Sequence, residues 1–235
     1  MQARIVYLVR HGRIRLEDDR PRYVGQLDVP LSKEGERHAG ELARRLRRAE
    51  LGAIYSSDLS RSAQTARIVA EALGLSAWAR PDLREVSLGA WEGCVQRDIQ
   101  QRFPEEFRAR GEDFGHYRPP GGESFLECSE RVVRAFHEIV RSSRGDLLVV
   151  GHAGANRLLL CHLLGMLPAN LFRLGQDYGC CNLLHCEGSR YQVMVVNGSN
   201  ADLLRAHPHR ARGRATPRSN GFTPATNSNG RRAAP

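Results

Sequence analysis

Two short apolar runs that each end in a histidine constrain this chain more than any other feature. Ile5-Val6-Tyr7-Leu8-Val9 leads into Arg10-His11-Gly12, and far downstream Val149-Val150 leads into Gly151-His152-Ala153-Gly154. A β-branched run that stops at a glycine-punctuated turn reads as a buried strand. In α/β sheets, ligands gather outside the carboxyl ends of such strands. His11 and His152 therefore stand where a site would form. Arg10, beside His11, suits an anionic ligand, and an imidazole held neutral among cations can attack phosphorus. The chemistry suggested is phosphoryl transfer.

Between these runs the chain alternates helical and extended patterns. Ser32-Lys33-Glu34-Gly35 opens a helix to about Glu50, with Ala39, Leu42, Ala43 and Leu46 forming its apolar stripe. Ala53-Ile54-Tyr55-Ser56 reads as a strand. Asp58-Leu59-Ser60 offers N-cap candidates for a helix that carries Ala63, Ala66, Ile68, Val69 and Leu73 and stops at Gly74. Arg61 falls in the first turn of that helix. A cation there opposes the helix dipole unless an anion is held nearby.

From about Pro81 to Gly122 the pattern is irregular and reads as a lid or substrate-facing insertion. Ser124 and Glu127 then form a capping box, opening a helix to about Ser142. Asp146 to Val150 is an apolar strand, Asn156 to Leu164 a buried helix, and Asn182–His185 and Gln192–Val196 are two closing strands. The whole reads as a three-layer α/β/α sandwich around a mostly parallel central sheet.

The formal charge of +9 is unevenly spread. No acid follows Asp202, whereas Arg205, Arg210, Arg212, Arg214, Arg218, Arg231 and Arg232 supply seven positive charges, leaving about +2 (9 minus 7) for the rest. We read residues 1–204 as one catalytic domain and 205–235 as an arginine-rich tail whose Pro, Gly, Ser and Asn content predicts disorder. Nucleic acid is not the expected partner, because the basicity belongs to that tail. No apolar stretch reaches the ~20 residues of a membrane span, and the expected location is the cytoplasm. The six cysteines lack paired metal-ligand spacing and are expected to be reduced, with Cys161 in the core and Cys180 and Cys181 beside the site. A homodimer is compatible with the sequence; no metal or cofactor is implied.

Arg10, His11, Arg61, Glu85 and His152 together meet the requirements of phosphoryl transfer. Two guanidiniums and a donating His152 would stabilise charge spread over the phosphoryl oxygens, and His11 would attack phosphorus. For that attack the second ring nitrogen of His11 must donate, with a backbone carbonyl as the natural acceptor. Glu85 is the candidate proton donor to the leaving group.

These residues fall within ordered motifs: Arg10-His11-Gly12, the stretch Ser57 to Ala66, Leu83-Arg84-Glu85 followed by Gly89-Ala90-Trp91-Glu92-Gly93, and Gly151-His152-Ala153-Gly154. Over about residues 4 to 200 the set resembles the histidine phosphatase (phosphoglycerate mutase-like) superfamily. The resemblance implies a phosphohistidine at His11, phosphate contacts from Arg10, Arg61 and His152, and proton donation by Glu85. Tyr23 to Ser32, Gly121 to Phe125 and Gln176 to Cys180 further resemble the α-ribazole phosphatases of cobalamin biosynthesis. The chain departs from many members after Arg-His-Gly, where Arg13, Ile14 and Glu17 replace an acidic or amide residue, a hydroxyl residue and an Asn. Gln26 is a candidate to approach the phosphate instead.

The leading expectation is a metal-independent phosphomonoesterase acting on a small phosphomonoester, with α-ribazole 5′-phosphate favoured. A phosphoglycerate mutase or broad-specificity phosphatase is the nearest alternative, and an idle binding module with a nucleic-acid-binding tail is one of another class. Trp91, Phe125 and Tyr178 are candidates to bound a pocket, each equally a packing residue. Glu123 and Ser124 face substrate or serve the helix cap.

Overall fold

The computed structural model describes residues 3–18 and 20–199; the arginine-rich segment 205–235 lies outside the described residues. Strands β1 (Arg4–Arg10), β2 (Leu51–Ser56), β3 (Ala77–Ala79), β4 (Asp146–Gly151), β5 (Cys181–Glu187) and β6 (Arg190–Gly198) form one sheet in the order β3-β2-β4-β1-β5-β6. The first four in that order run parallel, and β5 and β6 complete the sheet as an antiparallel hairpin.

The two-residue period of the strands divides the core. Val6, Leu8, Leu147, Val149 and Leu184 point to one face, where they meet α5 (Phe125–Ser142) and α6 (Ala153–Leu164) through Phe136, Ile139, Leu158 and Leu159. Tyr7, Val9, Leu148, Val150 and Leu183 point to the other. There α1 (Lys33–Leu46) and α2 (Ser60–Leu73) cover them with Leu42, Leu46, Ala66 and Val69. The fold is the expected three-layer sandwich with a mostly parallel sheet. Burying a large aliphatic side chain contributes roughly 1.5–3 kcal/mol, so both faces of β4, buried along its whole length, hold the sheet between its helices.

The insertion is more regular than its sequence suggests. It contains α3 (Gln96–Arg102) and α4 (Pro104–Glu112), which meet at Phe103, where Pro104 takes the first helical position of α4. Its small core is Tyr23, Trp91 and Ile99, with the Tyr23 and Trp91 rings 5.5 Å apart. Trp91 is thus a packing residue. Two helix boundaries and one strand also differ from expectation. Helix α1 stops at Leu46 rather than near Glu50, and α6 begins at Ala153 rather than Asn156. The short, exposed β3 carries no apolar alternation to announce it. Among the described residues no helix is long and apolar enough to cross a membrane.

The capping box is present as read: Ser124 Oγ accepts from the Glu127 amide at 3.2 Å, and Glu127 returns by accepting from the Ser124 amide at 2.8 Å. Ser124→Ala should therefore lower unfolding free energy by about 1 kcal/mol. In a thermal melt the midpoint should fall by about 2–4 °C; an unchanged midpoint would show that the cap does not set the entry of α5.

Candidate active site

Strand pairing brings the two histidines together. Arg10 lies opposite Gly151 in the parallel β1–β4 pair, so His11 and His152 are the next residues of neighbouring strands, and the His11 amide donates to the Gly151 carbonyl at 3.1 Å. The chain then leaves in opposite directions, β1 toward α1 on one face and β4 toward α6 on the other. Such a divergence opens a crevice at the strand ends. On the far side of β4, β2 ends with Ser56 opposite Val150, and Arg61 follows in the first turn of α2.

Arg61 is 1% exposed and sits between the imidazoles. Its Nε donates to both His11 Nε2 and His152 Nδ1, each at 3.2 Å. The two terminal nitrogens donate to the carbonyls of Leu27 and Gly25, each at 2.7 Å. Gly25 has φ of 51°, and a Cβ there would meet Glu92, so this turn requires glycine. Leu59, the N-cap of α2, offers no side-chain cap. Asp28 from the same loop substitutes, accepting from the amide and hydroxyl of Ser60, each at 2.7 Å.

These contacts define the tautomers. His11 Nδ1 donates to the Gly12 carbonyl at 2.8 Å, leaving its Nε2 as the acceptor that faces Arg61. His152 accepts at Nδ1 and carries its proton on Nε2. Burial first, then the charges of Arg61 and Arg10, holds His11 well below its ordinary pKa. Burial and Arg61, with His11 and Arg10 adding, do the same to His152. Both imidazoles are neutral. Behind them Thr65, one turn beyond Arg61, accepts from the Gly12 amide at 3.1 Å and donates to the Arg61 carbonyl at 2.8 Å. Its spacing from Arg61 was the signal for this support, which sequence reasoning did not use. Gly12 packs so closely on Gly35 that a Cβ would lie 2.4 Å from the Gly35 carbonyl oxygen.

Arg10 lies with its guanidinium 3.7 Å from the centre of the Tyr178 ring and donates to the Gln176 carbonyl at 2.6 Å. Arg10 Nε and His152 Nε2 are buried donors without a partner among the described residues. Gln176 is itself buried and bonded to Asn182 at 2.6 Å, and Asn182 donates to the Leu8 carbonyl at 2.9 Å. This amide network ties the anchor of Arg10 to β1; the sequence placed Gln176 only in a family-like stretch.

Glu85 joins the site through the start of α6. One carboxylate oxygen accepts from the Val86 and Ala155 amides at 3.0 and 2.9 Å, the other from Gly154 at 3.0 Å. A Cβ on Gly154 would lie 2.6 Å from that carboxylate. Gln26 donates its side-chain Nε2 to the Glu85 main-chain carbonyl at 3.0 Å. That bond fastens the 20s loop to Glu85. Arg13 faces Glu34 at 3.5 Å on the surface, Glu123 pairs with Arg131, and Ser124 is the helix cap.

The cleft over this cluster measures about 240 Å³. Arg10, Arg61, Arg22, Arg110 and Arg157 supply cations to its wall, and Glu85 is the carboxylate among the described lining residues. Phe125, Leu171, Phe172 and Tyr178 form an apolar side. Cys161 and Cys180 are buried, and burial pushes the Cys180 thiol up to about 11, which leaves it unreactive at neutral pH. Among the described residues there is no group of three or more His, Cys, Asp or Glu side chains that could hold a metal ion.

Residues 6–199 match the histidine phosphatase superfamily (branch 1). The chain belongs to that family. It is 33% identical over 178 residues to phosphoserine phosphatase 1 of Hydrogenobacter thermophilus, covering 75% of this chain and 84% of that protein. It is 40% identical over 172 residues to a Yersinia pestis protein named "Probable phosphoglycerate mutase GpmB", covering 72% and 78%. The crystal structure of the α-ribazole phosphatase from Shigella flexneri superposes with a TM-score of 0.75 at 29% identity, covering 83% and 96%. This histidine phosphatase is therefore a phosphatase by family, while its named relatives differ in substrate.

The neutral imidazoles carry a testable consequence. Nitrogen-detected NMR at pH 7 should find His11 protonated on Nδ1 and His152 on Nε2, with charging only well below the ordinary 6.5. Since both folded pKa values lie below the unfolded one, the unfolded chain binds more protons as pH falls through 6.5, and these two groups lower stability there. An imidazolium at pH 7 would contradict this reading.

Proposed function

We propose that this histidine phosphatase hydrolyses a small phosphomonoester through a phosphohistidine on His11. The observation that carries the reading is the His11 ring itself: Nδ1 is committed to the Gly12 carbonyl, and the Nε2 lone pair faces Arg61 among further cations. An arriving phosphoryl oxygen would take over the Arg61 Nε–H and free that lone pair. His11 Nε2 then forms a bond to phosphorus while the ester P–O bond breaks, and the proton that a phosphomonoester monoanion brings passes through Glu85 to the departing oxygen. Water next attacks phosphorus, Glu85 takes its proton, the N–P bond breaks, and inorganic phosphate leaves. Arg10 and Arg61, with the unpartnered His152 Nε2–H, stabilise the charge on the transferring oxygens.

Two substrate readings remain in contest. The α-ribazole phosphatase-like segments and the Shigella flexneri neighbour favour α-ribazole 5′-phosphate, whose heteroaromatic base the rings of Phe125 and Tyr178 could meet. A phosphomonoester bearing a second anion is favoured by the excess of arginines over carboxylates in the cleft wall, and by a volume below the ~300–1,000 Å³ of pockets that hold drug-sized ligands. Residues 1–204 are proposed as the catalytic unit and 205–235 as an appendage.

Phosphate release from α-ribazole 5′-phosphate, phosphoserine and 3-phosphoglycerate in excess EDTA tests the reaction. His11→Ala should lose at least about 1,000-fold in kcat. Isomerised phosphoglycerate without net phosphate would favour a mutase. Glu85→Gln should cost about 100-fold with an alkyl ester but less than about 10-fold with 4-nitrophenyl phosphate, whose leaving group needs little protonation; equal losses would remove Glu85 as the acid. Truncation after residue 204 should leave turnover within about twofold; its abolition, with His11→Ala intact, would restore the binding-module alternative.

A further inference from the structure

The Glu85 carboxylate is aimed by a stretch of chain that no sheet ladder holds. Pro81–Leu83 is a short 3₁₀ turn, and residues 84–88 belong to no helix or strand. Carbonyls in such a stretch still need partners, and whatever supplies them fixes the path of the chain. Here one side chain supplies three. From α5, Arg131 donates through Nη1 to the carbonyls of Asp82 and Arg84 at 2.9 and 3.0 Å, and through Nη2 to the Glu85 carbonyl at 3.3 Å.

Its remaining donors meet Glu123, in the turn that enters α5: Nε bonds to Glu123 Oε2 at 3.2 Å, and Nη2 to Oε1. These five bonds match the five N–H groups of a guanidinium. Glu123 in turn grips the chain on the other side of Glu85. Its Oε1 accepts from the Ser87 amide at 2.9 Å, and its own amide donates to the Ser87 carbonyl at 2.9 Å. Gly122 permits this approach, since a Cβ there would lie 2.6 Å from the Ser87 carbonyl oxygen. The Arg131–Glu123 pair thus clamps residues 82, 84, 85 and 87, with side chains only 18% and 17% exposed.

An ion pair kept mostly out of water is weak evidence for stability, because well-packed apolar side chains of the same volume often serve as well. An apolar pair could not hold the peptides on either side of Glu85. The carboxylate is fastened at its tip to the start of α6 and through its main chain to α5. A group that hands a proton to a leaving oxygen must come within about 2.6–3.2 Å of it, and a displacement of about 1 Å costs on the order of 100-fold. Proton transfer is therefore sensitive to the clamp, whereas the attacking ring of His11 is held separately, by the Gly12 carbonyl and Arg61.

We propose that Arg131, locked by Glu123, is a positioning residue for proton transfer: it holds the main chain of residues 82–87 so that the Glu85 carboxylate meets the leaving oxygen. The inference rests on the reading of Glu85 as the proton carrier and gives Arg131 no contact with substrate.

The test compares kcat/KM, which reports the steps through ester cleavage, for 4-nitrophenyl phosphate and for whichever of α-ribazole 5′-phosphate, phosphoserine and 3-phosphoglycerate turns over fastest. Arg131→Gln should lower the alkyl value by roughly 10- to 100-fold and the 4-nitrophenyl value by less than about threefold. Arg131→Lys, which keeps the charge but not the fork, should recover only part of the loss. Glu123→Gln keeps an acceptor for the Ser87 amide but removes the charge pair. It should show the same selectivity with a loss of about 3- to 10-fold, and it carries the test if Arg131→Gln does not fold. In the Glu85→Gln background, Arg131→Gln should change either value by less than about twofold, because no carboxyl proton is left to aim. Equal losses on both esters, or a loss that multiplies with that of Glu85→Gln, would make the clamp a support of the fold alone and overturn the proposal. A Glu85→Gln loss equal on the two esters would instead remove Glu85 as the proton carrier, and the role of the clamp with it. A selective Glu85→Gln loss beside an unselective Arg131→Gln loss refutes the clamp and leaves the reaction as read.

Discussion

A single N–H of Arg61, shared between two imidazoles, is the contact on which the site depends. The guanidinium is dry, and a buried charge costs several kcal/mol unless opposite charges and acceptors offset it; the Glu85 and Asp28 carboxylates act on it from nearby, and its donors are filled. They are met by two loop carbonyls and two ring nitrogens. The consequence for the histidines follows from Coulomb's law: like charges about 4 Å apart repel by ~4 kcal/mol at an effective dielectric of 20. Protonating either ring beside Arg61 is therefore opposed twice, by burial and by repulsion. The same cation that would stabilise a phosphoryl group keeps the nucleophile candidate unprotonated before it arrives.

That arrangement needs three chain segments in register, and the sheet provides it. Placing β4 between β1 and β2 sets the ends of three parallel strands side by side, so that residues 11, 61 and 152 meet although they are far apart in sequence. The loop carrying Gly25 and Leu27 is fastened in turn by Asp28 to α2 and by Gln26 to Glu85. Arginine placement, loop closure and the start of α6 are thus mechanically linked. Gly12 and Gly154 permit the close approaches at the two histidine turns.

Much of this was legible because the sequence states it locally. The runs before His11 and His152 announce buried strands, Ser124 and Glu127 announce a helix start, and the unfavourable position of Arg61 on its helix announces a compensating contact. What escaped was information held between segments. Helices α3 and α4 bury few side chains and so carry no apolar stripe, and β3 is short and exposed. The bond from Gln26 to the Glu85 carbonyl was hidden because its acceptor is a backbone atom that no motif reveals.

The most direct test of the account is the chemical state of the trapped enzyme. Rapid mixing with a phosphomonoester, quenching in base, and phosphorus NMR with peptide mapping should find phosphate on His11, bonded to Nε2. Phosphate on Nδ1, on another residue, or no phosphoenzyme during a turnover that releases phosphate would contradict it.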